Sequence, residues 1–400
     1  MRRSSLDCML LAASLGTLLS GCGQSPAVPP QAKLAYISLP VSNAVSRISL
    51  ATGRELNHII VGSLPHNLQL SKDGSKLYVT LVGSQAVAEL DVATGKLLRS
   101  ILTEPVPRTR FDGSVIRGHV REHAFTATTC FACHNGNQGA ATPTVVGSRP
   151  FGMHLSDDGK TLFVTNINSG NLSVIDLASG KLLKLIALSP DGDARQPTAI
   201  ARLGDSLFIT LLPILPSSSP AVLRRLDASD PEASRHTDTL LGSEAYFLLP
   251  DSGRHMVYVS NFETDTVTSL DADGRILHRF PVGMGPRGLL PLPDGKHVLV
   301  ANYYDNSVSE IDLTDAEVQT RQLTFASKAY ANPTRMVLDP NGRQVYALSG
   351  GTHGYLLTLD PGTLDIKRVS PTGGLPFDIT LIPSVHAETN EKSTLPGARS

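Results

Sequence analysis

The amino-acid sequence predicts an all-β chain, on three observations. Short strands of β-branched and aromatic residues recur every 42–48 residues or about that, most of them after a turn of Asp-Gly type. Each strand is followed downstream by a second one that ends in Asp. The chain has no Trp but 34 Gly and 27 Pro in 400 residues, a composition that suits turn-rich β structure better than helices. The period is that of four-stranded blades and the turns number seven, so the expected fold is a seven-bladed β-propeller.

The elements support this in order. First strands read Lys76-Leu-Tyr-Val-Thr80, Thr161-Leu-Phe-Val-Thr-Asn166, Ser206-Leu-Phe-Ile-Thr210, Met256-Val-Tyr-Val-Ser-Asn261, His297-Val-Leu-Val-Ala-Asn302 and Gln344-Val-Tyr-Ala-Leu348. The turns before five of them contain Asp73-Gly74, Asp158-Gly159, Ser252-Gly253, Asp294-Gly295 and Asn341-Gly342, which are hairpin signals. Second strands end at Asp91, Asp176, Asp271, Asp312 and Asp360. The blade around 206–253 is the most divergent, and Pro213–Pro220 reads as a loop insertion. Residues 34–61 supply three strands with no inner strand before them, and Pro376-Phe-Asp-Ile-Thr-Leu-Ile382 supplies the missing fourth. Pairing the two ends in one blade closes the ring and removes its open edges. A β-sandwich with similar hairpins is the competing arrangement; the evenness of the period favours the ring. Expected boundaries are 34–383 for the propeller and 384–400 for a disordered tail.

These strings resemble the YVTN-type β-propeller repeat family of prokaryotic surface and periplasmic proteins over residues 34–383. Val164-Thr165-Asn166 and Leu172-Ser-Val-Ile-Asp176 stand nearest its pattern.

One spacing breaks the period. Gly74 and Gly159 are 85 positions apart, one blade and roughly forty residues more. The excess lies at 103–149, between an outer strand at 97–102 and an inner strand at 150–156. It is therefore an insert between the second and third blades, over or beside the mouth of the central channel. Within it stands Cys130-Phe-Ala-Cys133-His134, a CxxCH. Two thiols at this spacing reach the vinyl groups of one porphyrin, and the adjoining His becomes an axial iron ligand, so one covalent haem c is the expected cofactor. A Cys2His2 zinc site with His119 and His123, or a CxxC disulfide, are the alternatives; neither needs a His directly after the second Cys.

Gly118, Phe125 and the CxxCH resemble the start of a cytochrome c, and Pro143-Thr-Val-Val-Gly147 resembles the loop that packs on its proximal His. That resemblance implies that the Pro143 carbonyl accepts a hydrogen bond from the His134 imidazole and makes it a stronger iron donor. The family's C-terminal helix and Met-bearing loop have no counterpart in the insert. The sixth-ligand candidates are then His123, next His119, and after them Met153. Strand alternation puts Met153 and His154 on opposite sides, so at most one of them points inward. An open sixth position is the alternative. Arg108, Arg110, Arg117, Arg121 and Arg149 flank the motif as candidate propionate partners, or as a solvated loop. His66, Arg287, Tyr330, Asn332 and Arg335 fall near the starts of inner strands, where they could line a ligand site or simply end loops.

The N-terminus begins Met1-Arg2-Arg3, continues apolar through Leu19, and reaches Leu19-Ser20-Gly21-Cys22. This resembles a bacterial lipoprotein signal peptide, which implies removal of 1–21, lipidation of Cys22 and a tether at 22–33. Gly23 after the lipobox Cys resembles the outer-membrane sorting pattern. The expected location is exported and lipid-anchored to the outer membrane, periplasmic or surface-facing, with membrane contact through the lipid only. Cys8 leaves with the signal and Cys22 carries lipid, so Cys130 and Cys133 are the remaining cysteines of a mature chain. Loss of Arg2, Arg3 and Asp7 leaves a net charge of −2, with no basic field for nucleic acid.

No catalytic set is identifiable: no supported Ser–His–Asp arrangement, phosphate loop or metalloprotease motif. The Asp-Gly pairs read as turns rather than calcium loops. The function expected first is electron transfer by a mono-haem c-type cytochrome lipoprotein, with an unknown redox partner protein or small-molecule substrate. The alternatives are a haem-dependent oxidoreductase of peroxidase or nitrite-reductase type, and a non-redox binding propeller with a structural metal in the insert.

Overall fold

The computed structural model of the chain describes residues 32–105, 148–188, 195–213, 219–231, 236–242, 244–323, 332–350 and 353–382. They form seven antiparallel four-stranded sheets arranged as the blades of a propeller. The innermost strands, in blade order, are Ile379–Ile382, Pro65–Leu70, Pro150–Leu155, Arg195–Leu203, Ala245–Asp251, Pro286–Pro291 and Pro333–Leu338. Blade one combines both ends of the ring. Its inner strand Ile379–Ile382 pairs with Leu34–Leu39 in the register Leu34↔Ile382 and Ile37↔Ile379. The backbone bonds Ser38 N to Asp378 O and Phe377 N to Ser38 O, both 3.0 Å, extend the seam by one step.

Burial runs outward in the way the sequence pattern requires. Middle strands such as Lys76–Leu81 and Thr161–Asn166 are buried on both faces, which is why they read as continuous apolar runs. The outermost strands Glu55–Ile60 and Leu97–Leu102 are largely exposed. Side chains from adjacent blades meet in wedge-shaped cores; one joins Tyr78, Val87 and Ile101 of blade two to Met153, Leu162 and Val164 of blade three.

The last two positions of the middle strands, Thr165-Asn166 and Ser260-Asn261 among them, hold two joints. Asn166, Asn261 and Asn302 are fully buried. Each Nδ2 donates across the hairpin: to Ser173 (2.6 Å) and Asn171 (2.7 Å), to Thr268 (2.8 Å) and Thr266 (3.1 Å), and to Ser309 (2.9 Å) and Ser307 (2.8 Å). The hydroxyl one residue earlier serves the inner strand. Thr80, Thr165, Thr210 and Ser260 accept the N–H of Asn67, Gly152, Ala199 and Phe247. Thr165 and Ser260 also donate to the next blade, at Thr198 O (2.6 Å) and Arg287 O (2.8 Å).

The Asp-Gly turns are held by the Asp carboxylate. Asp73 accepts from the Ser71 and Ser75 hydroxyls (2.6 and 2.8 Å), which hold its carboxyl down at about 2. Gly74 follows with φ of +71°, a conformation that disfavours a side chain.

Candidate functional site

Six of the seven inner strands are led in by proline: Pro65, Pro150, Pro197, Pro286, Pro333 and Pro376; Ala245 takes its place in blade five. Beyond this position, in every blade but the closing one, the pairing slips by a residue or more before it becomes regular. Proline cannot donate to the ladder, so a strand entry with an irregular ladder accommodates it well. The residue after it stands at the same place in all seven blades: His66, Phe151, Thr198, Tyr246, Arg287, Thr334 and Phe377. Together these seven make a ring at one end of the channel.

Two parts of the ring differ in character. His66, 2% exposed, lies 4.1 Å from the Phe377 ring and 5.0 Å from Phe151, centroid to centroid. Phe151 and Phe377 meet edge to face at 5.7 Å, over Val82 and Ile167. Across the channel, the Arg287 guanidinium lies 4.3 Å from Tyr303, 4.7 Å from Tyr246 and 5.2 Å from Phe262. Such contacts contribute about 0.5–2 kcal/mol each and hold a buried cation in a fixed orientation.

Beneath the ring is a cavity of about 210 Å³ that all seven blades line. Its ionisable walls are Arg287, Arg335, Asp378 and His154. Arg335 Nε donates to Asp378 Oδ1 (2.9 Å), and its guanidinium stacks 4.2 Å from the centre of Phe247. Asp378 is 5% exposed and also accepts from Leu68 N and Ile379 N, each at 2.9 Å. One carboxylate thus ties blade seven to the closing strand and to blade two. His154 is pushed down to about 4, by burial first and then by the positive charges of Arg202 and Lys72, so it is neutral at pH 7.

The insert leaves and returns beside this ring. Thr103 Oγ1 and Ser148 Oγ share a hydrogen bond of 2.7 Å, Ser173 Oγ donates to Thr103 O (2.6 Å), and Asn171 Nδ2 donates to Glu104 Oε1 (2.7 Å). Arg149, with φ of +50°, then turns the chain into Pro150.

The positions expected from sequence separate accordingly. Arg287 and Arg335 meet at one cavity, and His66 packs at its rim. Asn332 is a backbone fastener instead: Nδ2 donates to Tyr303 O and its N–H to Asn306 Oδ1, both 2.7 Å. Met153 is 8% exposed in the seam between blades two and three, and both it and His154 border the cavity. Cys22, His119, His123, Cys130, Cys133, His134, Pro143 and Tyr330 lie outside the described residues, as does most of the 103–149 insert. Among the described residues, no group of three His, Cys, Asp or Glu is placed to hold a metal, and no helix is long and apolar enough to cross a membrane. Phe151, Tyr246, Phe247, Phe377 and Asp378 belong to the site but were not singled out from sequence. Aligning the inner strands on their prolines brings Phe151, Phe377 and Asp378 together, whereas Tyr246 and Phe247 follow Ala245 and carry no such mark.

No family model and no curated protein matches the chain. Solved structures do match in fold. Hydrazine synthase of Kuenenia stuttgartiensis aligns with a TM-score of 0.58 and 15% identity, over 88% of this chain and 99% of that one. The periplasmic gluconolactonase PpgL of Pseudomonas aeruginosa aligns at 0.60 and 16%, over 87% and 98%. The dihydro-heme d1 dehydrogenase NirN aligns at 0.55 and 13%, over 89% and 76%. At these identities the likeness is one of fold: the chain is a seven-bladed β-propeller.

Proposed function

We propose that this protein is an exported mono-haem c-type cytochrome lipoprotein that transfers electrons, with the propeller as its docking platform. The observation that carries the reading is Cys130-x-x-Cys133-His134, placed in the one long interruption of an otherwise even repeat. The donor set suits haem c: two thiols and an imidazole in attachment order, with Cys8 and Cys22 both assigned to the signal and its lipid. Covalently bound haem would supply a one-electron iron couple there. Cys130 and Cys133 would hold it, His134 would ligate the iron, and the Pro143 carbonyl would orient the His134 ring. His123, His119 or Met153 would complete the coordination. The bonds among Thr103, Ser148 and Ser173 support the reading, because they hold both feet of the insert together where blades two and three meet. The existence of haem-related proteins of this fold, such as the dihydro-heme d1 dehydrogenase above, is compatible with it.

The test is expression of the mature chain with the c-haem maturation machinery, followed by oxidised and dithionite-reduced visible spectra. A haem-c spectrum that survives denaturation in the wild type and disappears in Cys130→Ala/Cys133→Ala is the expected result. A colourless protein containing zinc would overturn it. Low-spin, six-coordinate bands are expected of a carrier, whereas a five-coordinate site that reacts with peroxide would indicate an oxidoreductase. Cys22→Ser is expected to move the protein from the membrane to the soluble fraction.

A further inference from the structure

We propose that the channel cavity is a binding site for a small organic carboxylate, gripped by Arg335. Three properties of the cavity point to this class. First, Arg335 is half committed: Nε donates to Asp378 and Phe247 covers one face, while its two terminal amino groups have no hydrogen-bond partner among the described residues. A guanidinium with that edge open presents the paired donors that match a carboxylate. Second, two of the residues lining the cavity, Arg287 and Arg335, are guanidiniums, and His154 in the same wall is neutral at pH 7. Cationic groups in a partly enclosed site attract an anion. Third, Phe151, Met153, Tyr246, Leu248 and Phe377 supply apolar and aromatic wall, which a bare inorganic ion would leave unused.

The volume of about 210 Å³ sets the size. It lies below the range of drug-sized pockets and suits a ligand on the order of ten non-hydrogen atoms. Arg335 is a binding residue here, and Phe247 and Asp378 position it: the ring holds the guanidinium plane and the carboxylate fixes its Nε end. The inference does not depend on haem in the insert.

Benzoate is a suitable probe, with sodium phosphate as the purely inorganic comparison, titrated calorimetrically into the full mature chain. Saturable one-to-one binding of benzoate is expected, weakened at least tenfold in Arg335→Gln. Ala199→Leu enlarges a side chain of the blade-four wall, where Ala199 also packs against the core shared with blade five, and it is expected to abolish binding in a protein that still unfolds in a single transition. That variant keeps the test decisive if Arg335→Gln does not fold. Failure of benzoate to bind would overturn the proposal, as would wild-type affinity in both variants. Binding of phosphate but not benzoate would overturn the assignment of an apolar-bodied carboxylate.

Discussion

His154 shows how one side chain can set a pH dependence. Its folded value of about 4 lies below the ordinary 6.5 because burial and the nearby Arg202 and Lys72 oppose a further positive charge, with Asp157 offsetting part of this. The unfolded chain therefore binds the proton more tightly than the folded one. The neutral ring costs nothing above pH 6.5, stability is lost as pH falls from about 6.5 to about 4, and the loss levels off below that. The expected penalty is on the order of 2 kcal/mol, allowing for partial solvent contact. Urea denaturation across that window should show His154→Gln with a flatter acid limb than wild type; equal slopes would mean that the imidazole titrates normally. Asp73 acts in the same direction but lower: its depressed carboxyl stabilises above about 4 and loses that contribution on the way to 2.

At the scale of the hairpin, the repeated asparagines matter more than their polarity suggests. Asn166 is fully buried, and its amide bridges two acceptors on the neighbouring strand. Replacement by Ala removes those bonds and leaves the Ser173 and Asn171 oxygens short of a donor. The expected cost is about 1–3 kcal/mol, read as a lower denaturation midpoint with little change in slope. Leu81 and Leu211 occupy the corresponding place in blades two and four. Leu81→Asn should not gain what Asn166→Ala loses, because an amide alone does not create the hydroxyl partners: Ala86 and Ala88 stand where blade three has Asn171 and Ser173.

Ring closure belongs to the whole molecule. Asp378 joins the closing strand to Arg335 of blade seven and to the backbone of blade two, so its removal strands a cation and an N–H at once. Breaking such a pair costs about 3–5 kcal/mol when the partner is left buried. Arg335 keeps some solvent contact, with 25% of its side chain exposed, so the lower end of that range is expected for Asp378→Ala. Thermal unfolding should remain a single transition at a lower midpoint. An unchanged midpoint would show that the pairing of Leu34–Leu39 with Ile379–Ile382 closes the ring unaided.

The blade count, the closing of the ring by 376–382 and the insert between blades two and three were all legible in the chain. They follow from local rules: alternation, turn chemistry and a period that repeats whatever lies next to it. The CxxCH is likewise a local pattern, spacing along five residues, and the haem proposed for it rests on that spacing. The channel site was only half visible. Arg287 and Arg335 could be placed near strand starts, yet nothing along the chain says that Asp378, 43 positions after Arg335, would pair with it, or that Tyr246, Phe262 and Tyr303 would surround Arg287. Asp378 and Arg335 come from the closing blade and blade seven, and Tyr246 and Phe262 of blade five reach Arg287 of blade six, so these contacts form only when neighbouring sheets pack around one axis. Local pattern specifies a blade; which side chains face each other across the channel depends on the rotation from one blade to the next, and that is set by packing in the seams.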